Sequence, residues 1–120
     1  MKIEFILPGF LFLLIVLTGL VLRWRERPFN QFLLAIHKLL SLGCLIYIGM
    51  VLYRIYSTSF ITPSVCLLIV LTGGLFVSSI ATGAVISAAK KASHPVLLAH
   101  RFLSLGVIIF SFFTLWVVTR

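Results

Sequence analysis

Four apolar stretches, each long enough to cross a bilayer, take up nearly the whole chain and limit its fold more than any other feature. They run from Phe5 to Trp24, Phe32 to Tyr56, Pro63 to Ala89 and Pro95 to Val118 in a chain of 120 residues. A helix needs about 20 apolar residues to cross about 30 Å of hydrocarbon, and each stretch meets that length. Inside lipid the backbone must satisfy its own polar groups, so such segments fold as helices. Hydrophobic residues are 62% of the chain and charged ones 10%, a balance that excludes an ordinary soluble domain. The connections are too short to hold a second domain. The expected fold is all-α, a single four-helix transmembrane up-and-down bundle over residues 1–120.

The basic residues are unevenly placed. Arg23, Arg25, Arg27, Lys38, Lys90, Lys91 and Arg101 gather at the ends joined by the first and third connections, whereas Lys2, Arg54 and Arg120 lie on the other side. The positive-inside rule then puts both termini outside and both basic loops in the cytoplasm, as expected for a bacterial or archaeal inner membrane. The net charge of +8 reads as topology and contact with the lipid bilayer, not as nucleic-acid binding. The first span is not read as a cleaved signal peptide, because its apolar run is long, no small-residue cleavage site follows, and arginines come directly after it. Thr62-Pro63 and Ser93-His94-Pro95 read as cap-plus-proline helix starts, and Pro28 opens the approach to the second span. The second connection, around Ser57-Thr58-Ser59, is short. Neighbouring spans therefore run antiparallel, and spans two and four run parallel.

Within this apolar chain two histidines stand in nearly the same local sequence. His37 opens His-Lys-Leu-Leu-Ser-Leu-Gly, and His100 opens His-Arg-Phe-Leu-Ser-Leu-Gly. Thr18-Gly19 precedes the first as Thr82-Gly83 precedes the second, with spacings that differ by one residue. The pattern suggests internal duplication, or convergent demand for a two-fold site, with spans one and two as one half and spans three and four as the other. An ionisable side chain within a span is costly, so each histidine is a functional candidate. Both fall at the same level, roughly 8–10 Å inside the basic end at about 1.5 Å per residue. In an up-and-down bundle with axes about 8–10 Å apart, spans two and four face each other across a diagonal of roughly 12–14 Å. That gap suits one iron with an imidazole on each side. It is too wide for a lone zinc ion, whose imidazole nitrogens sit about 2.0–2.1 Å away.

The surrounding residues fit a flat cofactor. Gly19 and Gly83 lie near the depth of the histidines and are expected to leave room for a macrocycle edge, with helix packing as the rival explanation. A ligating imidazole gives its other N–H to an oxygen, and Ser41, Ser104, Thr18, Thr82 or a backbone carbonyl can accept it, the rival for each hydroxyl being a bond to its own helix backbone. Lys38 and Arg101 follow the ligands directly and can reach haem propionates, as can Arg23, Arg25, Lys90 and Lys91. They can equally snorkel to headgroups. His94 sits at the interface on a different face and reads as a surface residue. Cys44 and Cys66, on different spans at different depths, read as small buried hydrophobes rather than a redox pair.

A parallel, diagonal pair of membrane helices with one such histidine each resembles the core of the b-type cytochromes of respiratory and photosynthetic membranes. The resemblance rests on His37 and His100, with Gly19, Gly43, Gly83 and Gly106 as spacers. It implies one haem b between spans two and four. Electrons would then pass within a complex or between quinone and a redox partner. The two-haem form carries a second histidine about two heptads along each ligand helix, where this chain has Met50, Val51, Phe113 and Thr114. A single haem is therefore expected. Two histidine ligands leave no open position for oxygen, and no flavin or nicotinamide fingerprint is present, so an electron-transfer subunit is expected rather than a stand-alone enzyme. A proton-coupled exporter needs a carboxylate in the membrane, and Glu4 and Glu26 both stand at span ends. The alternative is a structural or pigment-binding subunit of a larger complex, with each histidine ligating its own chlorophyll magnesium.

Overall fold

The computed structural model describes residues 3–25, 28–58 and 60–120, without the side chain of Glu4. The expectations placed on Lys2, Glu4, Glu26, Arg27 and Ser59 lie outside the described residues and side chains. Four helices account for the regular structure among the described residues: α1 (Ile3–Trp24), α2 (Gln31–Thr58), α3 (Pro63–Ala88) and α4 (His94–Val118). Each is long and apolar enough to cross a membrane. The chain is an all-α integral membrane protein.

The helix starts differ from their sequence signals in one respect. Thr62 and Ser93 are the extended residues before α3 and α4, yet neither hydroxyl caps its helix. Their carbonyls accept instead, from the Cys66 and Leu97 amides at 3.0 and 3.2 Å. Pro63 and Pro95 carry the start, since proline has no N–H to leave unpaired in a first turn. Side-chain capping occurs where it was not expected, at α2. Asn30 Oδ1 accepts from the Phe32 and Leu33 amides at 3.0 and 3.3 Å.

The helices group into two units, Met1–Val51 and Leu52–Arg120, with the boundary inside α2. In the first, Pro8, Phe12, Leu22, Cys44, Ile48 and Val51 are buried. Pro8 lies inside α1, a position tolerated in membrane helices where neighbours resupply the lost hydrogen bond. In the second, α3 and α4 pack together. Thr72 bonds Thr114, Ser79 bonds Ser104, and Thr82 bonds His100, so partners on α4 fall in number as those on α3 rise. The two helices are antiparallel. Phe76, Val107 and Leu115 are buried among these polar rungs. Cys44 is buried as expected, but Cys66 is exposed, being in the first turn of α3.

Large apolar side chains point outward along the helices, among them Phe10, Phe32, Leu39, Phe102 and Ile109. In water such exposure would drive aggregation, but in lipid it is the ordinary outer face of a span. Aromatic residues stand near the ends. Trp24 closes α1 beside Arg23, Tyr53 and Tyr56 close α2, and the Arg120 guanidinium lies 3.8 Å above the Trp116 ring. Interfacial tryptophan and tyrosine of this kind anchor spans at the headgroup level.

One buried hydroxyl is poorly served. Ser111 is fully buried, and its Oγ has no hydrogen-bond partner. By contrast, Thr72 donates to the Leu68 carbonyl, and Thr114 donates to Thr72 at 2.8 Å. An unsatisfied buried hydroxyl costs about 1–3 kcal/mol. Ser111→Ala is therefore expected to raise thermal stability, and Thr114→Val, which breaks a made bond, to lower it. Unfolding of the two purified variants in detergent measures both signs.

Candidate functional site

Each histidine is held by a threonine and a glycine from the helix packed against its own. Thr18 and Gly19 on α1 meet His37 on α2, and Thr82 and Gly83 on α3 meet His100 on α4. The local reason is helical spacing: a Thr-Gly pair presents a hydroxyl and, beside it, a bare backbone surface. One side chain then contributes an oxygen while its neighbour contributes space.

The hydroxyl bonds fix the imidazole tautomer. The Thr18 hydroxyl bonds the Leu14 and Ile15 carbonyls at 2.8 and 3.0 Å, so its only hydrogen is engaged within α1. Its oxygen lies 2.9 Å from His37 Nδ1 and, with the hydrogen directed to a carbonyl, is placed to accept from it. Thr82 repeats the arrangement. It donates to Ser78 and Ser79 carbonyls at 3.0 and 2.9 Å, and His100 Nδ1 lies 3.1 Å from its oxygen. His100 Nδ1 also donates to the Ser79 carbonyl at 3.0 Å. With Nδ1 carrying the proton in a neutral ring, Nε2 carries the lone pair. In both settings Nδ1 is oriented by an oxygen from the neighbouring helix, as the second nitrogen of a metal-binding imidazole is.

The glycines are filled by the imidazoles themselves. A Cβ built on Gly19 would stand 3.2 Å from His37 Cε1, and one on Gly83 only 3.0 Å from His100 Cε1. The space expected for a macrocycle edge is, at these two positions, space for the imidazole ring. Gly43 meets nothing within 4 Å, and Gly106 touches only Leu75.

The serines play another part than accepting the imidazole proton. Ser41 donates to the His37 carbonyl at 2.9 Å and Ser104 to the His100 carbonyl at 2.7 Å, the back-bonding usual for serine within a helix. Each is spent on the carbonyl one turn back. Ser79, which no sequence signal singled out, bonds Ser104 across α3 and α4 at 2.9 Å. Lys38, Arg101, Arg23, Arg25, Lys90 and Lys91 are exposed, and so is His94 at the first residue of α4. No group of three or more His, Cys, Asp or Glu side chains occurs among the described residues, so a metal held by protein ligands alone has no candidate there. Taken each within its own unit, His37 and His100 are imidazoles of the donor type that a haem iron accepts. No family model, curated protein or solved structure matches this chain.

Proposed function

We propose that this chain is a small membrane cytochrome b that carries one haem between His37 and His100 and passes electrons within a membrane complex or between quinone and a redox partner. The observation that supports this reading is the repeated imidazole setting. Threonine oxygens accept from Nδ1 at 2.9 and 3.1 Å, a glycine lies against each ring, and Nε2 is left as the lone-pair nitrogen.

When bound, the haem supplies reversible one-electron chemistry. The chain's residues do the rest. His37 and His100 would hold the iron through their imidazoles, and with both ligands taken from the protein the group would exchange electrons rather than activate oxygen. Thr18 and Thr82 hold the rings in one orientation and raise their basicity by accepting from Nδ1. Lys38 and Arg101, next in sequence to the histidines, would neutralise propionates at the basic end, with Arg23, Arg25, Lys90 and Lys91 as further basic residues. Positive charge there favours the reduced cofactor and steers an acidic partner. In this reading the α1–α2 and α3–α4 pairs are internal duplicates, and the basic loops face the cytoplasm.

Each imidazole setting is complete within its own helix pair, and this favours one other reading, a structural subunit with one magnesium pigment per histidine. The absorption spectrum and cofactor stoichiometry of the purified protein separate the two. One b-type haem per chain is expected, with a sharp reduced α-band, whereas a colourless protein or two pigments per chain would refute it. Sidedness gives a further prediction. In oriented vesicles a membrane-impermeant reductant should reduce the haem faster from the Arg23/Lys90 face than from the Arg120 face. Faster reduction from the Arg120 face would overturn both the topology and the exchange site.

A further inference from the structure

Ser79 bonds the His100 ring directly and reaches the His100 backbone through Ser104. Its carbonyl accepts from His100 Nδ1 at 3.0 Å, and its hydroxyl pairs with that of Ser104 at 2.9 Å. The Ser104 hydroxyl spends its hydrogen on the His100 carbonyl at 2.7 Å, so Ser79 must be the donor to Ser104. The bonds close a circuit. The His100 ring binds the Ser79 carbonyl, the Ser79 hydroxyl binds Ser104, and Ser104 binds the His100 backbone. Thr82 adds a brace, because its hydroxyl bonds the Ser79 carbonyl at 2.9 Å while its oxygen lies beside the same ring nitrogen. Every polar atom of the circuit is satisfied, which in a low-dielectric interior makes it stiff.

We propose that Ser79 is a positioning residue for His100, locking the ring's rotation and the register of α4 against α3 at the level of the ligand nitrogen. The corresponding place in α1, three residues before Thr18, is Ile15, which has a carbonyl but no hydroxyl. The device therefore belongs to one half of the chain. That His100 acts as an iron ligand rests on the function proposed above, but the locking does not, and the two are tested apart.

The test uses the full chain without haem in lipid bilayers, labelled with 15N-histidine, with signals assigned through His37→Ala, His94→Ala and His100→Ala. Wild-type His100 should show one tautomer, protonated at Nδ1, with slow exchange of that proton. Ser79→Ala and Ser104→Ala should each speed the exchange roughly tenfold, the factor to which a net hydrogen bond of about 1.4 kcal/mol corresponds. Because both break one circuit, the double variant should be no faster than either single one. Ser79→Thr keeps a hydroxyl and should restore slow exchange, while Ser87→Ala, whose hydroxyl bonds only the Ala84 carbonyl of its own helix, should change nothing. Unchanged exchange in Ser79→Ala, or a double variant equal to the product of the singles, overturns the proposal. In haem-loaded protein, Ser79→Ala should broaden the low-spin electron paramagnetic resonance signal by releasing the ring orientation. If wild-type protein takes up no haem while Ser79→Ala still accelerates exchange, the cofactor reading fails and the positioning role stands.

Discussion

Replacing either His37 or His100 with alanine is expected to abolish stable low-spin haem binding. Each imidazole has Nδ1 bonded to a threonine, at 2.9 Å for His37 and 3.1 Å for His100, so iron would be taken through Nε2. Alanine removes the donor and leaves nothing nearby to replace it: the adjacent Ser41 and Ser104 hydroxyls are bonded to the histidine carbonyls of their own helices. Thr18→Val and Thr82→Val make an internal scale. Loss of an outer partner to a ligating histidine costs roughly 10–100-fold in affinity, so these should weaken haem retention by that order. The histidine variants should fall well below them. Absorption and paramagnetic resonance spectra of the four proteins, reconstituted side by side, give the ranking. A histidine variant with an unchanged low-spin spectrum would mean that the two residues do not share an iron. If each histidine variant instead loses half of a two-pigment load, the site is one pigment per helix pair.

Much of the architecture was legible because hydrocarbon leaves few choices. A run such as Phe5 to Trp24 can only be a helix in a bilayer, and α1, α2, α3 and α4 end within a residue or two of the apolar runs that announced them. The helix starts were less legible. Pro28 drew attention at α2, yet the amides are capped by Asn30, whose side chain reaches residues two and three places on. At α3 and α4 the reverse holds, since the hydroxyls of Thr62 and Ser93 looked like caps and make no capping bond.

In the site, the repeat puts Thr18-Gly19 and Thr82-Gly83 near the depth of His37 and His100, but it points the glycines at a macrocycle edge, whereas they lie against the imidazoles. Which hydroxyl would serve the imidazole could not be read from spacing alone. A serine one turn beyond a histidine lies on its face but can satisfy itself on its own backbone, and Ser41 and Ser104 do so. A threonine whose hydrogen is already committed within its own helix still has lone pairs to offer, which makes Thr18 and Thr82 acceptors. Ser79 left no trace in the sequence, because its role depends on the register of α3 against α4 and not on any local pattern.

The glycines carry the second large prediction, and they separate a ligand pocket from ordinary helix packing. A Cβ at Gly83 would come within 3.0 Å of His100 Cε1, closer than side-chain atoms normally approach, and at Gly19 within 3.2 Å of His37 Cε1. The His100 ring cannot simply slide away, since Thr82 and the carbonyl of Ser79 hold its Nδ1 from α3 itself. Gly83→Ala must therefore either push α3 from α4 or break those bonds, and a net loss of about 1 kcal/mol per bond is the scale involved. Gly19→Ala has a few tenths of an ångström more room and should be the milder change. Leucine at either position cannot be accommodated beside the ring, so Gly19→Leu and Gly83→Leu should exclude haem while the four spans still insert. Haem titration followed by the low-spin spectrum should give the order Gly43→Ala unchanged, Gly19→Ala shifted, Gly83→Ala more strongly shifted, and both leucine variants empty. Gly43 is the control because a Cβ there meets nothing within 4 Å. Normal haem uptake by Gly83→Leu would mean that the close approach of glycine to imidazole only packs α3 on α4, and His100 would lose its standing as a ligand.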